Sequence, residues 1–402
     1  MSESSNFFIN TFTYIENESQ NQENQNQENQ NQEDQNQIEN IINNNEEDFI
    51  PIGLTRLNGF IYINPILQLL VGIKEFKNFF IQNKDIYKEN FTKYKKTKLS
   101  FVTSRLYFNI YEEEEIKNTK LYNSSKFLTI LKLLYKYIGN NANFKIKDIF
   151  LLILAQLDDE NKINNRNEIN IRYDNSSLEE SINSGIEAVK NDNNSIISST
   201  LNFILLRTIK CPKCNNNFFE IKSFTTYELN ICSALQNIMS PKRKHNMITL
   251  KDCLDKEKIN EGKPFKFYCK ICKEYKIAKE IYYQFYEIKD KIIFLLDRDS
   301  ILDENKLSVK IPFKLDEIID MSEYLFINNN SINNPKYELT CVISGETKEK
   351  RYACFSKSFM NNKWYLYIDE LTEERNDIED VLDEHNNKNK FVPYILMYSK
   401  FK

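Results

Sequence analysis

Hydrophobic residues in the first half of the chain recur at the spacing of an α-helix. After Pro65, apolar side chains are three or four positions apart and would lie on one face of an amphipathic helix: Ile66, Leu70, Ile73, Phe76 and Phe80. Pro65 fits the first turn of such a helix, where an amide hydrogen is not needed. The same periodicity predicts further helices at residues 125–137, 146–157 and 177–190. The first half is therefore predicted to be mostly helical.

The pattern changes after Thr200 to short runs of β-branched and aromatic residues that are bounded by turn residues. These runs predict strands at residues 279–286, 291–296, 337–344, 351–356, 364–369 and 393–398. Polar stretches between the predicted elements indicate loops at residues 161–176, 240–246, 328–335 and 383–390. Helices followed by a largely antiparallel sheet predict an α+β fold with a groove where the two layers meet.

Residues 1–48 are predicted to be largely disordered. Between residues 17 and 48 the chain is dominated by Gln, Asn and Glu, which have too little apolar surface to offset the entropy of ordering them. A docking or prion-like segment is the functional alternative for this stretch. Order is predicted to begin near Phe49, which divides the chain into a tail at 1–48 and a folded domain at 49–402.

The composition of the 402 residues indicates a protein that can bury a large core and that has little overall charge. Hydrophobic residues make up 41% of the chain, and 54 basic and 58 acidic residues give a net charge of −4. No global attraction to nucleic acid or to an anionic membrane is expected, so the expected partners are proteins. No run approaches the roughly eighteen apolar residues of a membrane span, and the polar start lacks the regions of a signal peptide. The predicted location is the cytoplasm, the nucleus or both.

Four of the eight cysteines form two pairs with the spacing of zinc knuckles. Two residues separate Cys211 from Cys214 and Cys269 from Cys272, a spacing that lets both thiolates of a pair face one tetrahedral ion. We predict a structural Zn²⁺ at this site, because four thiolates leave no position open for water. Four reduced, buried thiols are the alternative. The other cysteines lie singly among apolar residues and are predicted to be core residues: Cys232, Cys253, Cys341 and Cys354.

A motif at residues 53–70 and a series of shorter segments resemble those of one enzyme family. Residues 53–70 read GLTRLNGFIYINPILQLL, which is similar to the cysteine box GLxNLGNTCYMNSxLQxL of the ubiquitin-specific proteases. The glycine, leucine, tyrosine, asparagine and Leu-Gln positions of the two motifs are in register. Shorter matches follow in the family's order at residues 205–214, 250–254, 309–316, 337–344, 351–355, 364–369 and 394–398.

The resemblance runs from about residue 50 to residue 400 and implies the fold of these papain-like deubiquitinases. It is an α+β fold with a helical thumb, an antiparallel palm sheet and fingers that carry zinc knuckles. In this chain the resemblance implies a thumb at about 49–195, fingers at about 200–285 and a palm at about 286–400.

The catalytic positions of the resembled family are occupied by residues that lack the required chemistry. A thiol protease needs a thiolate at a helix N-terminus, an imidazole base, a group that orients the imidazole, and oxyanion donors. The resemblance places Ile61 at the nucleophile's position and Arg56 at that of the oxyanion asparagine. Arg351 stands at the position of the base, and an arginine, which stays protonated, cannot take up a proton. Ile368 stands at the orienting acid, and Asp369 is predicted to point to the opposite face of its strand.

Neither of the two histidines is predicted to replace the missing base. His245 lies in a basic run and His385 in a polar run, and both are predicted to be in exposed loops. No cysteine occurs between Met1 and Lys210, so this stretch offers no other thiol near Ile61.

The resemblance and the altered catalytic positions together predict an inactive protein that binds ubiquitin or partner proteins as a scaffold in a complex. Two alternatives remain open. The first is an active cysteine-type deubiquitinase that hydrolyses ubiquitin isopeptide bonds with displaced catalytic groups. The second is an assembly module that does not bind ubiquitin. Zn²⁺ is the predicted cofactor, and neither nucleic acid nor a membrane is a predicted partner.

Overall fold

The computed structural model describes the chain from residue 49 to residue 401, with internal gaps. The described residues are 49–139, 144–162, 185–187, 189–190, 194–231, 234, 247–258, 265–278, 281–298, 313–326, 335–346, 351–388 and 390–401. The predicted tail at 1–48, most of the predicted helix at 177–190 and most of the predicted loops before residue 336 lie outside the described residues.

Helices dominate the described chain before residue 202. They are α1 (Ile63–Val71), α2 (Lys74–Gln82), α3 (Lys84–Tyr94), α4 (Lys98–Tyr111), α5 (Glu114–Thr119), α6 (Ser125–Leu134), α7 (Ile146–Asn161) and α8 (Ile196–Leu201). Two further helices lie among the strands, α9 (Leu250–Lys258) and α10 (Ile378–Asn386). Short 3-10 turns occur at Lys136–Gly139 and Ser322–Tyr324. None of the helices in the described ranges combines the length and the hydrophobicity needed to span a bilayer.

Strands dominate the described chain after residue 202. Two short strands come earlier, β1 (Gly53–Leu54) and β2 (Leu121–Tyr122). The others are β3 (Phe203–Lys210), β4 (Asn217–Phe224), β5 (Tyr227–Asn230), β6 (Ile248–Thr249), β7 (Phe265–Cys269), β8 (Glu274–Ala278), β9 (Ile281–Glu287), β10 (Lys291–Asp297), β11 (Phe313–Lys314), β12 (Ile318–Asp320), β13 (Lys336–Glu346), β14 (Tyr352–Lys357), β15 (Trp364–Ile368), β16 (Leu371–Arg375) and β17 (Phe391–Lys400).

The largest sheet has eight strands in the order β16-β15-β14-β13-β17-β10-β5, with β12 paired to β13 outside this path. Its neighbouring strands are antiparallel except for β10 and β5, which are parallel. A second sheet has the order β4-β3-β9, and β7 and β8 form a separate antiparallel hairpin. Two short parallel pairs, β1 with β2 and β6 with β11, complete the described sheets.

The helix α1 is buried at all nine residues because it packs against β13, β14 and β15. The strand β15 is also buried at every residue, so both faces of the large sheet are covered at this point. Alternate β15 side chains point to opposite faces, and one set joins the core cluster that includes Val381 of α10: Trp364, Leu366 and Ile368. The remaining β15 side chains, Tyr365 and Tyr367, therefore point to the other face.

The predicted α+β order of helices followed by strands agrees with these elements. The helix predicted after Pro65 exists as two helices, α1 and α2, which are separated at Gly72 and Ile73. All five apolar residues of its predicted face are buried. The six predicted strands correspond to β9, β10, β13, β14, β15 and β17, with boundaries within two residues.

The predicted loop at residues 383–390 is wrong over its first half, because α10 extends from Ile378 to Asn386. Asp377 caps this helix by accepting a hydrogen bond from the amide of Asp380 at 3.1 Å, and Val381 faces the core. The helix α3 and the strand β16 were not predicted, because charged and polar residues interrupt their apolar residues. The helix α4 was missed although its buried residues have helical spacing: Leu99, Val102, Leu106 and Ile110.

Candidate functional site

The segment before α1 is fixed to the turn that joins β15 to β16. The amide of Leu54 donates to the carbonyl oxygen of Asp369 at 2.8 Å, and the amide of Arg56 donates to Oε1 of Glu370 at 2.5 Å. A Cβ atom on Gly53 would lie only 2.4 Å from the carbonyl oxygen of Glu370. Glycine is therefore required where these two backbones approach each other.

The buried amide of Asn64 connects this turn to the first turn of α1. Its Nδ2 atom donates to Oδ1 of Asp369 at 2.7 Å and to the carbonyl oxygen of Thr55 at 3.0 Å. Its Oδ1 atom accepts from the Ser124 hydroxyl at 2.9 Å. The donors and the acceptor of Asn64 are thus satisfied within the protein, which is what a buried amide requires.

Asp369 points away from the face of Ile368, as predicted, but its side chain is the one that faces the start of α1. The strand β15 ends at Ile368, and Asp369 has a left-handed backbone with φ of 51°. Its carboxylate therefore reaches Asn64 at the start of α1, whereas Ile368 faces the core cluster. Burial raises the pKa of Asp369 above its ordinary value, while the hydrogen bond from Asn64 and the charges of Arg56 and Arg351 act in the opposite direction.

The half-buried Ile61 lies two residues before the first residue of α1. The helix begins at Ile63, and no side chain caps it at Tyr62. Such a helix end carries partial positive charge that would stabilise a thiolate. Ile61 presents only hydrocarbon there, and the Arg56 side chain is exposed.

Arg351 lies at the start of β14 and forms an ion pair across the β13–β14 hairpin. Its Nε atom donates to Oε2 of Glu346 at 2.6 Å, and its side chain is 35% exposed. Arg351 and Arg56 are both near enough to Asp369 to interact with it electrostatically, so the structure brings two of the predicted positions close to this carboxylate. The pairing with Glu346 was not predicted from the sequence.

The predicted surface position of His385 is wrong, because this residue lies in α10 and is only 2% exposed. Its Nδ1 atom is 2.7 Å from the carbonyl oxygen of Val381, which makes Nδ1 the donor. Its Nε2 atom therefore accepts from the Ser344 hydroxyl, also at 2.7 Å. Burial lowers the pKa of His385 to about 4.

The environment of His385 is a hydrophobic core. Its ring packs against those of Phe355 and Phe391, with centroids 5.0 and 5.8 Å away. Ser344 is fully buried, so the Ser–His pair is closed to any substrate. The helical spacing of Ile378, Val381 and His385 was the signal for this inward position. The other histidine, His245, lies outside the described residues.

The four paired cysteines meet at the tips of two hairpins. Cys211 and Cys214 lie in the turn between β3 and β4, Cys269 is the last residue of β7, and Cys272 lies in the turn between β7 and β8. All four Sγ atoms lie within 4.8 Å of one another, with 3.9 Å between Cys211 and Cys272 and 3.7 Å between Cys214 and Cys269. This arrangement could hold one metal ion.

The two cysteine pairs have the same local geometry. A residue with left-handed backbone follows the second cysteine of each pair, Asn215 with φ of 58° and Lys273 with φ of 54°. Backbone hydrogen bonds from Cys214 and Lys213 lower the pKa of the Cys211 thiol to about 6. Amides that point at sulfur favour the thiolate, which is the form that binds a metal.

The prediction that the unpaired cysteines are core residues agrees with their burial. Cys253, Cys341 and Cys354 are at most 1% exposed, and Cys232 lies outside the described residues. Burial raises the pKa of the Cys354 thiol well above its ordinary value, so this thiol is not activated.

Comparison with known proteins identifies the family of this chain. The family model described as "Ubiquitin carboxyl-terminal hydrolase" matches residues 52–398. The chain belongs to the ubiquitin carboxyl-terminal hydrolase family. No curated protein sequence matches this family member significantly.

Solved structures similar to this family member include the SAGA deubiquitinase module of Ubp8, Sgf11, Sus1 and Sgf73 bound to monoubiquitin. The likeness has a TM-score of 0.61 at 18% identity and covers 89% of this chain and 70% of that chain. The yeast module with an Sgf73 point mutant gives a TM-score of 0.60 at 17% identity, with coverage of 89% and 70%. The module bound to ubiquitin aldehyde gives 0.60 at 17%, with coverage of 89% and 71%.

These comparisons confirm the predicted family and the predicted fold class of this ubiquitin carboxyl-terminal hydrolase family member. In the terms of that fold, the palm is the eight-stranded sheet. The fingers are the β4-β3-β9 sheet and the β7–β8 hairpin, and the thumb is formed by the helices that precede them. The subdomain boundaries and the roles of the cleft residues stay predictions.

Proposed function

We propose that this chain is a catalytically inactive member of its family that binds ubiquitin or another protein as a scaffold. The observation that carries this proposal is the hydrocarbon side chain of Ile61 before the N-terminus of α1. A nucleophile is required at that point, and an isoleucine has no electron pair with which to attack an isopeptide carbonyl.

The groups around Ile61 support the same conclusion. Arg351 is permanently protonated and forms an ion pair with Glu346, so it cannot serve as a general base. His385 is enclosed in the core by Ser344, Val381 and two phenylalanine rings. To act as a base near Ile61, His385 would have to move out of this pocket and break both of its hydrogen bonds, which opposes such a movement.

The hydrogen bonds that hold α1 in place beside the proposed binding surface are present. Asn64 and Gln68 anchor α1 to the segment before it, because Gln68 donates to the carbonyl oxygen of Ile52 at 2.8 Å. A protein-binding surface needs shape and a few buried anchor residues, and it needs no thiol. The Ubp8 modules with a similar fold are bound to monoubiquitin or ubiquitin aldehyde, which supports ubiquitin as a ligand.

We propose Zn²⁺ as the ion at the four cysteines and a structural role for it. Four thiolates at tetrahedral spacing suit zinc and leave no position for a reacting water. The ion would join the tip of the β3–β4 hairpin to the tip of the β7–β8 hairpin, which have no strand pairing between them in the described residues.

A ubiquitin derivative with a thiol-reactive vinyl sulfone at its C-terminus tests the loss of activity. We expect no covalent adduct with the full chain, while an active family enzyme in the same assay is labelled. Labelling of any cysteine of this chain would instead identify an active enzyme with displaced catalytic groups.

Calorimetric titration with ubiquitin tests the scaffold role separately. We expect saturable binding, because the surface that would face ubiquitin does not depend on Ile61. The absence of binding at millimolar ubiquitin would leave an assembly module that does not recognise ubiquitin.

A further inference from the structure

The β7–β8 hairpin has one buried face and one exposed face. Its inner face packs Phe265, Phe267 and Ala278 against the β4-β3-β9 sheet through Ile209 and Ile281. The ring of Phe267 also contacts that of Phe218 in a tilted arrangement, with ring centroids 5.5 Å apart. The hairpin is thus the outer layer of the fingers, and its second face points away from the protein.

Large apolar side chains are concentrated on the outer face of this hairpin. Tyr268 lies directly opposite Tyr275, and Lys266 lies opposite Ile277, so these four share one face. Tyr268, Tyr275 and Ile277 are 49%, 66% and 56% exposed, and Ile271 at the tip is 58% exposed. Within the described ranges, no other ten-residue stretch exposes four such side chains. Contiguous exposed apolar patches mark interaction sites.

The two hairpins that meet at the four cysteines carry a strong local positive charge. Residues 210–217 and 265–278 contain six lysines and one glutamate, a local charge of +5 in a chain whose net charge is −4. Lys266, Lys270 and Lys273 are exposed beside the apolar side chains, and the Nζ atom of Lys266 lies 5.0 Å from the centre of the Tyr275 ring. Lysines at a sheet edge also discourage non-specific strand pairing, but that role does not require four exposed apolar neighbours.

We propose that the outer face of the β7–β8 hairpin docks an acidic polypeptide segment of a partner protein that carries apolar anchor residues. The tyrosines and isoleucines would contact the anchors, and the surrounding lysines would face carboxylates. The like charge of this surface disfavours its pairing with the same surface of a second copy of the chain. A nucleic acid could pair its phosphates with the lysines and stack its bases on the tyrosine rings, but it would gain little from contacts with Ile271 and Ile277.

Fluorescence anisotropy of the full chain with a labelled peptide of alternating Glu and Leu residues tests this proposal. We expect saturable binding that weakens as salt rises. The double substitution Tyr275→Ser with Ile277→Thr should weaken binding about tenfold, since it removes two anchors. The double substitution Lys266→Gln with Lys273→Gln should weaken it about two- to fivefold, since each exposed charge contributes little.

Matched control variants lie on the thumb. Ile86 and Tyr94 of α3 are 57% and 53% exposed, and Lys88 and Lys96 are exposed lysines of the same region. Ile86→Thr with Tyr94→Ser, and Lys88→Gln with Lys96→Gln, should leave peptide binding unchanged. Metal content and thermal unfolding of the hairpin variants should match those of the parent chain, because the substituted side chains are exposed.

Three probes give the outcomes that would overturn the proposal. If polyglutamate bound as tightly as the Glu-Leu peptide, and if Tyr275→Ser with Ile277→Thr had no effect, binding would depend on charge alone and no apolar docking site would exist. Tighter binding of oligothymidine would assign it to nucleic acid. Ubiquitin binding that is lost in the same variants would assign it to ubiquitin. Failure of the Glu-Leu peptide to saturate would remove the docking site without affecting the scaffold proposal, which the ubiquitin titration tests.

Discussion

The cleft at the start of α1 and the cysteine site in the fingers match the sequence motifs of the family to different extents. The fingers have all four thiols within 4.8 Å of one another. The cleft has Ile61 and Arg351 where the family resemblance expects a nucleophile and a base. Both sites lie in the same chain and the same fold. The different agreement with the family motifs can therefore be compared with how much the side chains at each site contribute to the folded structure.

With the proposed metal bound, the cysteine site would support part of the fold, whereas the residues at the altered cleft positions would not. A two-stranded hairpin such as β7–β8 is marginally stable by itself and needs packing or a metal. In contrast, Ile61 is half-buried and Arg351 is partly exposed, so other side chains fit there at little cost. Residues of the cleft that do hold the structure, Gly53, Asn64 and Gln68, match the family motif.

The largest effect is expected at the cysteine site. The double substitution Cys269→Ser with Cys272→Ser should release the metal and unfold the β7–β8 hairpin, since structural zinc contributes on the order of 10 kcal/mol in small zinc domains. Metal analysis and hydrogen exchange of residues 265–278 measure this effect. Lys213→Gln, which removes only an exposed ion pair with Glu274, is the control. One metal per chain in the double variant would show that the cysteines are not the ligands.

The second effect concerns pH and tests whether His385 is a core residue. Its pKa in the folded chain is about 4, below the ordinary value of 6.5, so protonation favours the unfolded chain. The contribution of neutral His385 to stability should be fully present above pH 6.5 and should be lost as the pH falls toward 4. The expected loss is about 3 kcal/mol.

Urea unfolding at a series of pH values measures this loss. His385→Asn should be less stable than the parent chain at neutral pH and should have a flatter profile between pH 6.5 and 4. The same slope in both proteins would mean that His385 does not titrate with this low pKa.

A third, smaller effect compares two residues of the cleft. Asn64→Ala should reduce the free energy of unfolding by about 2 kcal/mol, because Ser124 and Asp369 lose a buried partner. Ile61→Ala should reduce it by less than about 1 kcal/mol, because Ile61 is only half-buried. Equal losses in a denaturant titration would contradict the distinction between structural and catalytic positions.

The smallest effect on stability is expected when the catalytic groups are returned. Ile61→Cys with Arg351→His should change the free energy of unfolding by less than about 1 kcal/mol, since neither position is fully buried. The thiol-reactive ubiquitin derivative should label the double variant faster than Ile61→Cys alone, because an imidazole can activate the thiol. Labelling of both at the same rate would mean that residue 351 does not face residue 61.

Much of the fold was predictable, because the patterns that define it are local. The apolar spacing after Pro65 predicted the buried faces of α1 and α2, and the six long strands were found within two residues of their ends. The cysteine site was predictable for the same reason, since each pair of ligands is separated by only two residues.

The error at His385 shows where local composition misleads. Asp383, Glu384 and Asn386 surround it and suggest an exposed loop, but a helix turns neighbouring side chains to different sides. His385 therefore faces the core with Val381, four residues earlier, while its neighbours in sequence are more exposed. A helical period of 3.6 residues, applied from Ile378 onward, places His385 on the buried side of the helix.

Local sequence was sufficient for the predicted helices and strands and for the two cysteine pairs, because each depends on the identity or spacing of residues that are close in the chain. Tertiary structure alone joined Asn64 to Asp369 across 305 positions, placed Arg351 against Glu346 and brought the two hairpin tips to one metal site. These contacts depend on how separate elements pack, and packing is set by the whole core.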